Sequence, residues 1–347
     1  MTSLIFALVF ALMLSASARP TIDAASADRL QPIQQINFAT VDIEFLYGWF
    51  LMNTSGTRFF VVDADRTGYV LNDSGAVLWE ITLRQTSSNL GFIVDGAFTA
   101  DDRTLVLLVD EALLTFDLET GAYAWSTQDA AARGLALWTS EGELWVEALR
   151  QSDDATIVQH YAGLAEGELR LMETLDYAPY QDPQAVVRIG RIPPPYVVTS
   201  SLEGRVTLWN MQVGHALFDV DNQADEPSVF GNINASATHL VWRDNANQML
   251  YLLDFTSGEN RVLDQLAGDY VQWFFLTPAA DLALGVQIGA EQHIYAWDPE
   301  APGVRMDLGP FRECGRAQPD MARLSADGTT LVIGCPLGLE IWRVQPE

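Results

Sequence analysis

Short apolar runs, each closed by a polar corner, follow one another along almost the whole chain. Residues 97–121, AFTADDRTLVLLVDEALLTFDLETG, show the unit: a turn (TADD), an apolar run (LVLLV), a turn (DE), a second run (LLTF) and a closing DLETG. Asp suits such corners because its carboxylate bonds to nearby backbone, and Gly because it reaches positive φ. The same order recurs at 53–75, 277–303 and 325–343. Runs of this kind with turn residues between them predict strands, and beyond residue 18 no helical periodicity competes. The predicted class is all-β.

A glycine closes the unit at a steady beat: Gly75, Gly121, Gly167, Gly214, Gly258 and Gly303, with gaps of 46, 46, 47, 44 and 45 residues. A repeat of that length suits one four-stranded blade of a β-propeller. The turn after each innermost strand gives a second count, at Gly56, Asp102, Gly142, Pro194, Ala237, Asp281 and Gly328, which predicts seven blades. The third and fourth are the least regular, with turns 52 residues apart and RIPPPY at 191–196 in place of the usual corner. Proline cannot donate to a ladder, so that corner is expected outside the sheet. The last blade runs out of chain after LEIWRV at 339–344. The segment IQQINFATV at 33–41 has no blade of its own, and is expected to supply the missing outer strand. An unpaired edge invites aggregation, and closing the ring covers it.

Residues 4–14, LIFALVFALML, are apolar but too few to span a bilayer. ASA at 16–18 follows as a small-x-small cleavage signal, although the leading MTS has no basic residue. The expected division is therefore an export signal at 1–18, a linker at 19–32 and a seven-bladed propeller at 33–347. No Cys follows the apolar run to carry a lipid anchor, and the mature domain is expected to be secreted, or periplasmic or extracellular, without membrane insertion. Cys314 is placed in the loop leading into the last blade and Cys335 at the end of that blade's second strand, on one face. An oxidising compartment favours a disulfide between them; two unrelated thiols are the alternative.

The chain has 46 acidic and 19 basic residues, every base an Arg, for a net charge of −27. Without lysine, Schiff-base and lysine-general-base chemistry are excluded. The negative charge argues against nucleic acid and anionic membranes as partners. It favours cationic partners, divalent ions or a plainly solvated surface. Loops between blades share a face with those between second and third strands, and there Asp63, Asp65, Asp110, Glu111, Asp153, Asp154, Glu203, Asp244 and Glu291 are expected. DADRTG at 63–68 resembles the start of a calcium loop, with Asp63, Asp65 and Thr67 as candidate ligands. Calcium wants six to eight oxygens and a distal carboxylate, but the twelfth position is Ser74. Arg188, Asn232 and Arg323 occupy equivalent places on innermost strands and are candidates for an anion site in the channel. Aromatic and Arg residues in two long loops, Tyr177, Tyr180 and Asp182 in one and Phe311, Arg312 and Arg316 in the other, are candidate partner contacts. The four histidines fall in different blades, outside any HExxH or CxxCH setting, and no G-x-S-x-G elbow occurs. Trp79, Trp125, Trp209, Trp297 and Trp342 are expected to pack between blades.

RTGYVLNDSGAVLWE at 66–80 resembles a quinoprotein-type repeat, and YVVTSSLEGRVTLWN at 196–210 resembles the YVTN and WD styles. Trp297-Asp298 is the one true Trp-Asp pair. The chain thus resembles the WD-repeat, YVTN-repeat and quinoprotein-like propeller superfamily over residues 33–347. That resemblance implies a fold and no single activity. The expected function is a monomeric, non-enzymatic module that binds a protein or small ligand through its loop face, without a cofactor unless calcium is one. The alternative is a lactonase- or hydrolase-type enzyme using a divalent cation held by acids at the channel mouth.

Overall fold

The computed structural model describes residues 19–346 apart from 42, 44, 64, 84–92, 100, 110–111, 128–131, 141–142, 152–155, 163–169, 177–185, 189–195, 201–205, 211–214, 221–228, 234–237, 245–246, 267–270, 288–291 and 312–320. For the strands between 125 and 237 the backbone alone is described. Among these residues the chain forms seven four-stranded antiparallel sheets. Six are simple meanders. The first blade runs Phe45–Met52, Arg58–Asp63, Thr67–Asn72 and Val77–Thr82, and the second Ile93–Phe98, Thr104–Val109, Ala112–Asp117 and Tyr123–Thr127. The first strand of each blade is innermost. Phe45–Met52 touches both Ile93–Phe98 of the second blade and Met321–Leu324 of the seventh. Val271–Leu276 of the sixth likewise touches Val229–Ile233 of the fifth and Met321–Leu324.

The seventh blade takes its outer strand from the other end of the chain. Leu30–Asn37 lies antiparallel to Gly338–Val344, from Leu30 opposite Val344 to Asn37 opposite Gly338, with a bulge between Pro32 and Gln34. A proline is tolerated on an edge strand, where no ladder bond is needed, and a bulge blunts the edge against further pairing. The closing strand starts earlier and ends sooner than the 33–41 expected from sequence. It stops because the Asn37 carboxamide accepts from the Ala39 N–H at 2.9 Å and Thr40 Oγ1 donates to the Asn37 carbonyl at 2.7 Å. Those bonds wind Phe38–Thr40 into one 3-10 turn and bury Phe38. Residues 19–32, expected as a linker, are also built into the domain. The Ile22 N–H donates to the Gly328 carbonyl at 2.8 Å, and Ile22, Ala27 and Leu30 sit in the core between the sixth and seventh blades.

Among the described residues each hydrophobic core lies between two blades, because alternate residues of a strand point to opposite faces. Leu331, Ile333 and Cys335 face the sixth blade, while Val332 faces the first. Trp79 spans the first interface: its Nε1–H donates to the Leu118 carbonyl at 3.0 Å and its ring meets Phe116 edge-on at 5.8 Å. Trp297 does the same further round, donating to the Asp264 carboxylate of the fifth blade at 2.8 Å.

Two corner designs repeat. After the third strand, Asn72, Asp117, Asp254 and Asp298 each accept, through a side-chain oxygen, the N–H two residues on. The glycine that follows is left-handed at Gly75, Gly121, Gly258 and Gly303, with φ of 86°, 74°, 74° and 79°. Gly167 and Gly214 lie outside the described residues. After the first strand, Asn53, Thr99, Thr277 and Ser325 each accept the N–H five residues on. The left-handed residues there are Gly56, Asp102, Ala280 and Gly328. In the sixth blade that residue is thus Ala280, not Asp281, whose carboxylate instead accepts from the Thr277 hydroxyl at 2.6 Å.

A third corner, between Arg58–Asp63 and Thr67–Asn72, is held by Asp63. Its carboxylate accepts from the Thr67 N–H at 2.8 Å and the Tyr69 hydroxyl at 3.0 Å. Burial, the bond to Asp63 and that carboxylate's charge push the Tyr69 phenol up to about 12.

Substitution and alkali each probe these corners. Gly121 and Gly258 share the same φ, but a methyl group at 121 would run into the Trp79 indole whereas one at 258 meets nothing. Gly258→Ala is expected to cost about 1–2 kcal/mol for the left-handed backbone alone. Gly121→Ala should cost about 1 kcal/mol or more beyond that for overpacking. Thermal melting should rank G121A below G258A; equal melting temperatures would count against the Trp79 contact. An unfolded tyrosine ionises near 10, so folding disfavours the Tyr69 phenolate. Its contribution is whole below about pH 10 and is lost as pH rises toward 12. Tyr251 shifts in the same direction, so Tyr69→Phe should flatten only part of the fall in melting temperature across that window. An unchanged slope in Y69F would contradict the Asp63–Tyr69 pair.

Candidate functional site

Corners after first and third strands open on one face of the ring, and corners after second and fourth strands on the other. Sequence placed the chemistry on the second face. There Asp63 is committed to its corner, as described above, and Thr67 is the residue whose N–H it accepts. Asp65 stands exposed beside them. Asp244 is 5% exposed and accepts from the Asn247 carboxamide at 2.6 Å. Asp110, Glu111, Asp153, Asp154, Glu203 and Glu291 lie outside the described residues. Among the described residues no three His, Cys, Asp or Glu side chains gather to hold a metal.

The partner and channel candidates separate. Tyr177, Tyr180, Asp182, Arg312, Arg316 and Cys314 lie outside the described residues. Phe311 is not a surface contact: it is 3% exposed in the core of the sixth and seventh blades, its N–H on the Gln292 carbonyl. Its apolar ring extends that core where the sheet ends. Arg188 and Asn232 do lie on innermost strands, Val186–Arg188 and Val229–Ile233. Arg323, on Met321–Leu324, uses its guanidinium between blades. Its Nε–H donates to the Phe50 carbonyl at 2.7 Å and its charge sits 5.8 Å from the Phe50 ring centre. Cys335 is buried and is not a free thiol.

On the opposite face a cleft of about 310 Å³ opens between the first and second blades. Its floor is a reciprocal latch. Asp102 reaches back to the first blade, accepting from the Thr54 N–H at 3.0 Å, the Asn53 carboxamide at 2.8 Å and the Ser55 hydroxyl at 3.2 Å. Arg58 of the first blade reaches forward, Nη1 donating to the Asp102 carbonyl at 2.9 Å. At the rim, Arg103 and Glu119 pair at 2.6 Å with side chains 64% and 68% exposed. A pair that exposed contributes about 0–1 kcal/mol and opens readily. Asp101 completes the wall; its Oδ1 accepts from the Thr99 hydroxyl at 2.6 Å and the Arg103 N–H at 3.1 Å.

Sequence reading saw these residues only as corners. The signal lay in aligning the corners on their capping residues. The position five beyond the cap holds Arg58, Thr104, Leu282 and Thr330, and the position before it Thr57, Arg103, Asp281 and Thr329. An arginine breaks the pattern in each set, and both arginines line the same cleft. The first-blade corner is also gripped from its other side. Arg343 Nη2 donates to the Gly56 carbonyl at 2.8 Å and to Asp73 at 3.1 Å, while Arg19 donates to the Ser55 carbonyl and Asp73, each at 3.1 Å.

This geometry can be set beside known proteins. A chain from a crystal structure of the mitotic checkpoint complex superposes with a TM-score of 0.63 at 14% identity, over 96% of this chain and 100% of its own. The β-propeller domain of Cps50 (Swd1) from Myceliophteria thermophila superposes with a TM-score of 0.59 at 12% identity, over 91% and 100%. At such identities the likeness shows the fold alone. No curated protein sequence matches the chain. The family model described as outer membrane protein assembly factor BamB matches residues 43–261, from the first blade into the fifth. With more than half its length matched, and with the propeller ring that such repeats build, the chain belongs to the family of the outer membrane protein assembly factor BamB.

Proposed function

We propose that the protein is exported and acts without catalysis, as a propeller that engages a protein partner in assembly at the cell envelope. The observation that carries this is membership of a family described as an outer membrane assembly factor, in a chain whose repeats close into one ring. A closed ring offers two loop faces on a rigid support, which suits a binding module. Other features agree. Residues 1–18 have the pattern of an export signal. Among the described residues no helix is long and apolar enough to cross a membrane. The charge of −27 suits a partner with a basic docking surface. The segments that follow the strands Arg170–Asp176 and Arg305–Pro310, at 177–184 and 312–319, are the proposed contacts, through Tyr177, Tyr180, Asp182, Arg312 and Arg316. The proposed disulfide joins Cys314 to Cys335, tying the second loop to the blade that closes the ring. The mature protein is proposed to be a monomer on its own.

Fractionation with chemical cross-linking tests this. The protein should be recovered from the cell envelope or the medium with Arg19 as its first residue, cross-linked to a protein partner, and with no free thiol under non-reducing conditions. A quadruple variant with Tyr177, Tyr180, Arg312 and Arg316 changed to Ala should melt as the wild type does and lose the cross-link. A protein retained in the cytoplasm with residues 1–18 uncut, or an undiminished cross-link in the variant, would overturn the reading.

A further inference from the structure

We propose that the cleft between the first two blades binds a small zwitterion of amino-acid or dipeptide size, its carboxylate on Arg58 and its ammonium against Asp101 and Glu119. The fold leaves donors and acceptors uncommitted in this cleft. A guanidinium carries five N–H groups, and Arg58 commits only Nη1 to the chain, on the Asp102 carbonyl. The corner does not require the rest, since the equivalent position holds threonine in the second and seventh blades and leucine in the sixth. Arg103 commits Nη2 to Glu119 and its backbone N–H to Asp101. On the acid side both Asp102 oxygens are occupied by the latch. Asp101 has used Oδ1 and Glu119 has used Oε2, which leaves one oxygen of each for a ligand.

The charge of the lining selects the ligand class. Two arginines, Arg58 and Arg103, face three carboxylates, Asp101, Asp102 and Glu119, leaving one net negative charge. A dianion such as phosphate would meet that excess as repulsion. A simple cation would meet Arg58 at the floor. A molecule bearing both charges satisfies both walls, and the planar fork of Arg58 matches a carboxylate bidentately. A volume of about 310 Å³ admits such a molecule and no folded partner. Leu118 gives the carbon skeleton an apolar wall. The Arg103–Glu119 pair at the rim is weak enough to part and let both side chains turn to the ligand. The cleft uses none of the residues of the proposed partner contacts, so this site and the envelope reading stand or fall separately.

Isothermal titration of the mature protein with glycylglycine, and separately with acetate and methylammonium, tests the proposal. Glycylglycine should bind saturably at one site per chain, with acetate and methylammonium each weaker by about tenfold or more, because each uses one wall only. Arg58→Lys keeps the charge but loses the fork, and should weaken glycylglycine by about tenfold or more. Asp101→Asn keeps an oxygen for the corner's two bonds, and should weaken glycylglycine without weakening acetate. Melting curves of both variants would show that the blades still latch. Absence of saturable glycylglycine binding, an affinity unchanged in both variants, or acetate binding as tightly as glycylglycine would each overturn it.

Discussion

The pairing of Leu30–Asn37 with Gly338–Val344 is the constraint on which the rest depends. It joins the two ends of the chain in one sheet and turns a row of blades into a ring. The strand brings more than backbone bonds, each worth about 1 kcal/mol net. Leu30 enters the core between the sixth and seventh blades, while Ile36 and the following Phe38 enter the core between the seventh and the first. Without it two of the cores would open together. Gly338 shows how tightly the parts fit: a side chain there would collide with the Ile36 carbonyl. The entropy of closing so long a loop rises only logarithmically with its length, so one well-packed strand suffices to hold the circle.

Closure is transmitted around the ring through corners. The first-blade corner at 53–58 is held on one side by Arg343 and Arg19 and on the other by Asp102. Its Asp73 neighbour accepts from both arginines, and burial together with the nearby Arg19 lowers the proton affinity of Arg343 while Asp73 restores part of it. The floor of the cleft is therefore tied to the clamp that shuts the ring. The latch needs Asp102 in a left-handed conformation, where the corners of the first and seventh blades use glycine. Asp tolerates that conformation better than most residues, and here its carboxylate makes three bonds across the blade boundary.

Much of the architecture was legible because a repeat averages over local noise. The glycine beat marked left-handed corners at Gly75, Gly121, Gly258 and Gly303, and a count of seven is consistent with the seven sheets formed among the described residues, although the corners expected at Gly142, Pro194 and Ala237 lie outside those residues. Boundaries were less legible. Nothing in IQQINFATV announces that the Asn37 side chain ends the strand, nor that Ile22 is buried rather than part of a loose linker. Single side chains were the hardest. Phe311 reads as a loop aromatic but extends a core, and Arg323 reads as a channel charge but clamps the Phe50 carbonyl of the next blade. The cleft was missed because its residues come from two blades and look like ordinary corners one at a time. It emerges only when corners are aligned and the odd arginines stand out.

Hydrogen exchange of backbone amides in the native protein tests the closing strand most directly. The account predicts that the ladder amides shared by Leu30–Asn37 and Gly338–Val344 exchange as slowly as those of the sixth and first blades, and that both strands open together. Fast exchange over 30–37 with the neighbouring blades still protected would show that the ring does not depend on its own beginning, and would contradict the account.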